Sequence, residues 1–307
     1  MTWRLHLTNH SIHYLDILGG DLPLLVVRVR KDMLAFHHLE SGTVVEEMTI
    51  EPPQTDIKPD APEWRTFMDT LIAPNDLFLP LVHTPQAAIH TTEDGGIRLY
   101  QNGSASLHLI TSSRAATLDR SNAERFVAVA LERLLGLAVA LDETGRVHIF
   151  QQHRRVGGFD HGFTIDEDQR PGIAIAHGGR AIYVCDGRRI VLMDSTGMAK
   201  RTRDLGYTVR LIACSPDGQT LATCDMDIGL IRVYRGPTLH LTHQRFAIDL
   251  ISEATQVQLL AELPPAFVAP GTLKVDNSGR LALSMSGVVC VSDLSYMDEV
   301  PDAKVTA

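Results

Sequence analysis

A chain of 307 residues, 44% hydrophobic and 21% charged, has enough apolar mass for a large core and too much for wholesale disorder, and its length suits a single β-rich domain. The formal net charge of −9, from 28 basic and 37 acidic residues, repels a phosphate backbone and argues against nucleic-acid binding. The longest apolar runs, such as Leu22–Val27 and Leu134–Leu141, fall far short of the roughly 20 residues that span a bilayer. No signal peptide is evident at the N-terminus, so a cytoplasmic protein without membrane contact is expected.

Along the chain, Trp3–Leu7 (WRLHL) alternates as a strand, and Ser11–Leu18 reads as the inner strand of a first sheet. The tetrapeptide MLAF, ending at Phe36, reads as the third strand of that sheet. The adjacent His37 and His38 then point to opposite faces and cannot chelate together. The Pro-rich, acidic Glu51–Glu63 is expected to be an exposed, mobile loop. IRLY, ending at Tyr100, follows the turn Glu93-Asp94-Gly95-Gly96. Ser121–Leu135 is ambiguous: Ser121-Asn-Ala-Glu124 matches a capping box, whereas Val127, Val129 and Leu131 alternate. The phase of the repeat selects a strand.

VHIF, ending at Phe150, follows Asp142-Glu143-Thr144-Gly145, and His148 and His153 flank the next turn and look exposed. IVLM, ending at Met193, follows Cys185-Asp186-Gly187. Thr208–Gly236 (TVRLIACSPDGQTLATCDMDIGLIRVYRG) is the clearest stretch: strand, Ser-Pro-Asp-Gly turn, strand, acidic-Gly turn, and a strand ending in Tyr234. Ile251–Leu263 reads as a short amphipathic helix stopped by Pro264-Pro265. VVCV ends at Val291, with a flexible tail expected beyond.

The marker tetrapeptides end 64, 50, 43, 41 and 57 residues apart. The middle spacings match the roughly 40–45 residues of a WD-type repeat, and the outer ones imply insertions. Thr208–Gly236 resembles the WD40-like β-propeller superfamily, with weaker copies elsewhere. The resemblance implies an all-β fold, one propeller domain over 1–307 with six blades, or seven if a long gap conceals another. Trp3–Leu7 would complete the last blade and shut the ring, removing open sheet edges. WD repeats place Gly-His before the inner strand and Trp-Asp after the third. Here Tyr100, Phe150, Met193 and Tyr234 stand at the Trp position, only Asp194 keeps the Asp, and Trp3 and Trp64 lie elsewhere. The Asp/His/Ser/Trp tetrad that stiffens such blades is thus mostly absent, leaving apolar packing to hold the ring.

Cys185, Cys214, Cys224 and Cys290 show no CxxC spacing and read as buried, reduced thiols. A Cys214–Cys224 bridge between paired strands stays open. No HExxH, GxSxG, Walker loop or dinucleotide glycine pattern occurs. Asp225-Met226-Asp227-Ile228-Gly229 lacks the later acidic ligand of a calcium loop and reads as a turn. No cofactor is expected.

Two candidate sites remain. The first is the central channel, where His13, Asp16, His83, Glu132, His177 and Asp276 lie on or near inner strands. His83 and His177 with Asp16 and Asp276 would bind a divalent ion and activate water, as in the metal-dependent lactonases that share this architecture. The second is a surface: Arg154 and Arg155 after one third strand, and Lys200, Arg201 and Arg203 after the next, would form one cationic patch on equivalent neighbouring turns. Such a patch orients an acidic partner, and without stacking aromatics it does not suit nucleic acid. The expected role is a non-catalytic scaffold presenting a rigid face to a protein partner, alone or within a larger assembly. A metal-dependent hydrolase is the alternative, and a small-ligand or peptide sensor at the channel mouth stays open.

Overall fold

Short apolar runs closed by Asp, Asn and Gly turns become strands, and successive strands reverse into sheets. A computed structural model describes residues 3–6, 15–18, 24–30, 33–49, 87–91, 97–101, 106–111, 114–120, 126–132, 137–142, 144–151, 154–160, 162, 171–225, 228–251, 256, 272–285 and 288–300. After β1 (Trp3–His6), the first sheet holds β2 (Leu15–Leu18), β3 (Leu24–Arg30), β4 (Met33–His38) and β5 (Val44–Thr49). The second holds β6 (Ala87–Thr91), β7 (Ile97–Gln101), β8 (Ser106–Thr111) and β9 (Arg114–Arg120). The third contains β10 (Phe126–Glu132), β11 (Leu137–Asp142), β12 (Arg146–Gln151) and β13 (Arg154–Asp160). The fourth contains β14 (Gly172–Ala176), β15 (Ala181–Cys185), β16 (Arg189–Met193) and β17 (Ala199–Asp204). The fifth contains β18 (Val209–Cys214), β19 (Thr220–Asp225), β20 (Leu230–Arg235) and β21 (His240–Phe246). The sixth joins β22 (Thr272–Val275), β23 (Leu281–Met285) and β24 (Val288–Ser292), and the two-residue β25 (Asp298–Glu299) follows.

Every pairing is antiparallel, and the first strands of successive sheets touch in the order β6, β10, β14, β18, β22, β2. These sheets are the blades of a propeller, with their first strands at the centre. The N-terminal strand β1 pairs with β24, Trp3 opposite Val291 and His6 opposite Val288, as the fourth strand of the sixth sheet.

The core lies between blades, and two-residue alternation builds it. On β15, Ile182 and Val184 face blade three, where they meet Val139, Leu141, Val147 and Ile149. Tyr183 and Cys185 face blade five, where they meet Val209, Leu221 and Tyr234. Likewise, Val288 and Cys290 of β24 pack toward blade five, and Val289 and Val291 pack toward Leu25, Val27 and Ala35 of blade one. Strands covered on both faces need apolar residues at successive positions, hence AIYVC, LALSM and VVCVS. Each fully buried aliphatic side chain contributes about 1.5–3 kcal/mol.

Several expectations are corrected. IRLY belongs to β7, the second strand of its sheet rather than the third, so the extra length falls between blades one and two. His148, expected at the surface, is fully buried and donates from Nε2 to Asp142 at 2.6 Å. The polar network is not lost in blade five: the Tyr207 hydroxyl bonds Thr223 and Tyr234 where the tetrad would stand. The chain beyond Val291 is placed as far as Val300 and includes β25, rather than trailing as a loose tail.

Phe126–Glu132 is a strand, settling the ambiguity at Ser121–Leu135. Cys214 stands opposite Leu221 and Cys224 opposite Leu211, so the two are out of register for a bridge, and all four cysteines are free. Glu51–Glu63 lies outside the described residues, as does Ile251–Leu263 apart from Ile251 and Gln256. Among the described residues, no helix is long and apolar enough to cross a membrane.

Candidate functional site

A recurring Asp-x-Ser/Thr-Gly turn sets the geometry of the loops. In Asp142-Glu-Thr144-Gly145, Asp194-Ser-Thr196-Gly197 and Asp276-Asn-Ser278-Gly279 the carboxylate does the same work. It accepts from the N–H and hydroxyl of the residue two places on, and from the N–H four places on. The glycine takes the left-handed conformation, with φ of 87°, 87° and 81°, which a side chain would resist.

The turns after the first strands are joined from blade to blade. His177 N–H donates to Pro216 O at 2.8 Å, linking blades four and five. Asp217 N–H donates to Asn277 Oδ1 at 2.9 Å, linking blades five and six. Arg280 Nη2 reaches Glu40 Oε1 at 3.4 Å, linking the sixth blade to the β4–β5 turn of the first. One face therefore carries a continuous line of polar contacts across four blades. His177 keeps a φ of 51° to make its bond, an unfavourable conformation for a residue with a Cβ. Its imidazole lies against Gly218, where an added Cβ would sit 2.7 Å from Nε2.

The expected cations lie in outer strands, not in turns. Lys200, Arg201 and Arg203 are on β17, and Arg154 and Arg155 open β13, opposite Gln151 and Phe150. Lys200 pairs with Asp194 at 3.0 Å. Bonds from Thr196 and then Lys200 hold that carboxyl well below the usual carboxylate range. Arg203 lies 5.1 Å over the Tyr234 ring and donates to Leu239 O at 2.6 Å, tying blade four to blade five. Arg201 is exposed. The turn before β17 meets β13 at Phe159, against which Gly197 packs. Arg154 lies five residues back along that strand, roughly 16 Å away.

The channel constellation does not converge among its described members. His13 and His83 lie outside the described residues, and Asp16 and Glu132 are placed on β2 and β10 as backbone. His177 is exposed in the turn after β14, and Asp276 sits in the turn after β22 with blade five between them. The Asp276 carboxylate is occupied by Ser278 and Arg280 of its own turn. Among the described residues, no three His, Cys, Asp or Glu side chains gather as a metal site.

Sequence reasoning missed the buried Asp142–His148 pair. Burial alone would push the Asp142 carboxyl up, but bonds from His148, Thr144 and the Arg146 N–H outweigh it and hold the carboxyl below its ordinary value. The repeated Asp-x-Ser/Thr-Gly spacing was the available signal. It marks a carboxylate engaged in capping its own turn.

No family model matches the chain and no curated protein matches it. Solved structures do. The β-propeller domain of Cps50 (Swd1) from Myceliophteria thermophila aligns with a TM-score of 0.58 at 10% identity, covering 95% of this chain and 99% of that one. Raptor from Chaetomium thermophilum aligns with a TM-score of 0.53 at 10% identity, covering 96% of this chain but only 25% of Raptor. At such identity the likeness is one of fold alone: this chain has the architecture of a β-propeller.

Proposed function

We propose that the protein is a non-catalytic interaction scaffold, a closed six-bladed propeller that holds one rigid face toward an acidic protein partner in a cytoplasmic assembly. The observation that carries this reading is the line of contacts from His177 through Pro216, Asp217, Asn277 and Arg280 to Glu40. Loops tied to their neighbours lose little conformational freedom when a partner docks, which favours recognition. The Cps50 (Swd1) structure that aligns above is a β-propeller domain, an architecture that serves many functions. The free cysteines suit a reducing compartment.

The cations on β13 and β17 supply the sign of the partner. Arg201 is exposed, whereas Lys200 and Arg203 are committed to Asp194 and to blade five. Arg155→Glu with Arg201→Glu is therefore the discriminating pair. Affinity capture from native extract with quantitative mass spectrometry should recover a stoichiometric partner with the unaltered chain. Recovery should fall at least tenfold with the double variant, at an unchanged melting temperature. Equal capture by both chains would remove the cationic patch from the reading.

A further inference from the structure

The chain beyond β24 turns through residues 294–296 and runs as β25 along the outer strand of blade five. His243 stands opposite Glu299 and Gln244 opposite Asp298, and Val300 N–H donates to Thr242 O at 2.8 Å. Blade five is the one sheet among the described residues with five strands. Three features hold the extra strand. The Arg245 guanidinium donates to the Tyr296 carbonyl. Met297, only 6% exposed, is sunk into the core between blades five and six. Asp298 and Glu299, both exposed, lie beside a strand that carries His240, His243 and Arg245. The edge thus reads its occupant by one apolar plug, two acidic residues and main-chain pairing.

That hold is slight for a sheet edge. β21 is seven residues long, about 24 Å at the usual rise, and β25 is a two-residue strand against its middle. A sheet edge is a template for another extended segment. We propose that the outer edge of β21 is a docking site for an extended segment of a partner protein, with an apolar residue followed by two acidic ones, and that β25 fills the site in cis until such a segment displaces it. The tether gives β25 a high effective concentration, so the displacing segment wins by pairing along more of β21. This deepens the scaffold reading and rests on it only for the existence of a partner.

The test uses the full-length chain carrying Val300→Pro, which removes the donor to Thr242. The probe is a fluorescein-labelled synthetic peptide, Leu-Ser-Tyr-Met-Asp-Glu-Val, read by polarisation. The variant should bind it at least tenfold more tightly than the unaltered chain does. Replacing both acidic residues of the peptide by lysine should cost at least another tenfold. A variant with native near-ultraviolet dichroism that binds no peptide overturns the proposal, as does one that binds both peptides equally. A variant that dimerises without binding peptide overturns it too, because the edge then serves a second copy. If Val300→Pro does not fold, hydrogen exchange on the unaltered protein decides. A Val300 amide exchanging at least a hundredfold faster than β19 amides supports a displaceable strand, and equal protection overturns it. Peptide failure alongside a partner capture that still depends on Arg201 would remove this site and leave the scaffold.

Discussion

The Tyr207 hydroxyl lies 2.6 Å from the hydroxyl of Tyr234 and 2.7 Å from Thr223 Oγ1. One phenol from the loop entering blade five thereby fastens the second and third strands of that blade. Arg232 covers its ring, 3.7 Å from the centroid, and reaches Asp225 at 3.4 Å. Burial pushes both phenols above their ordinary range, so they stay protonated donors at any physiological pH.

Removing the hydroxyl with Tyr207→Phe leaves two covered hydroxyls short of a partner, and should cost about 1–2 kcal/mol. Tyr234→Phe should cost a similar amount, and the double variant less than the sum, because the two act through one bond. Urea midpoints of the four proteins measure this coupling. Strict additivity would mean the hydroxyls act independently.

The Asp142–His148 pair should matter more. Asp142→Ala abandons the His148 ring, the Thr144 hydroxyl and two turn N–H groups and should cost on the order of 3 kcal/mol. The pH dependence has a definite sign. The folded carboxyl titrates below its unfolded value, so its contribution is complete above about pH 4 and is lost as pH falls through the depressed value. Stability of the unaltered chain should therefore drop more steeply below about pH 4 than that of Asp142→Asn. Chemical denaturation at stepped pH would show parallel curves if the pair contributed nothing.

Gly236 has no room for a side chain: an added Cβ would sit 2.0 Å from Gly218 O and 2.6 Å from the Tyr183 hydroxyl. The same contact disrupts the 3.1 Å bond from Tyr183 to Gly218 that joins blades four and five. Gly236→Ala should cost about 1–3 kcal/mol. Gly157→Ala, where nothing lies within 4 Å, should stay within about 0.5 kcal/mol. Thermal melts of the two variants make the comparison.

Burial pushes the Cys185, Cys214 and Cys224 thiols up to about 12. Cys214 is only partly covered as a residue, but its sulfur is turned inward, donating to Ile175 O at 3.0 Å. At pH 8 such thiols are thiolate in about one molecule in ten thousand. Ellman's reagent should find almost nothing in the native protein and four thiols in urea. Prompt reaction of the native protein would contradict the packing.

The parts legible in sequence were those fixed by local chemistry. Ser215-Pro-Asp-Gly218 announced its hairpin, the phase of the repeat selected a strand at β10 where the local pattern was ambiguous, and the WRLHL segment found its partner in β24 because a last sheet of three strands needed a fourth. The second blade was misphased because IRLY is as apolar and as well preceded by Asp-Gly as a third strand would be. Nothing local distinguishes the second strand of a sheet from the third. Substitution hid the polar network: a tyrosine in place of histidine and another in place of tryptophan rebuild it with hydroxyls, through contacts 16 and 27 residues apart in sequence. Likewise, His148 looks like a surface residue until the carboxylate six residues before it is seen to turn inward.

The pairing of Trp3–His6 with Val288–Val291 also orders events during synthesis. A ribosome adding roughly 5–20 residues per second releases β1 tens of seconds before its partner strand exists. Through that interval β1 has no place in the sheet that will hold it, while the strands of the sheets between emerge. The sheet that β1 joins therefore closes late, and a nascent chain stalled before residue 288 would leave it without β24 and leave β1 an open invitation to other strands.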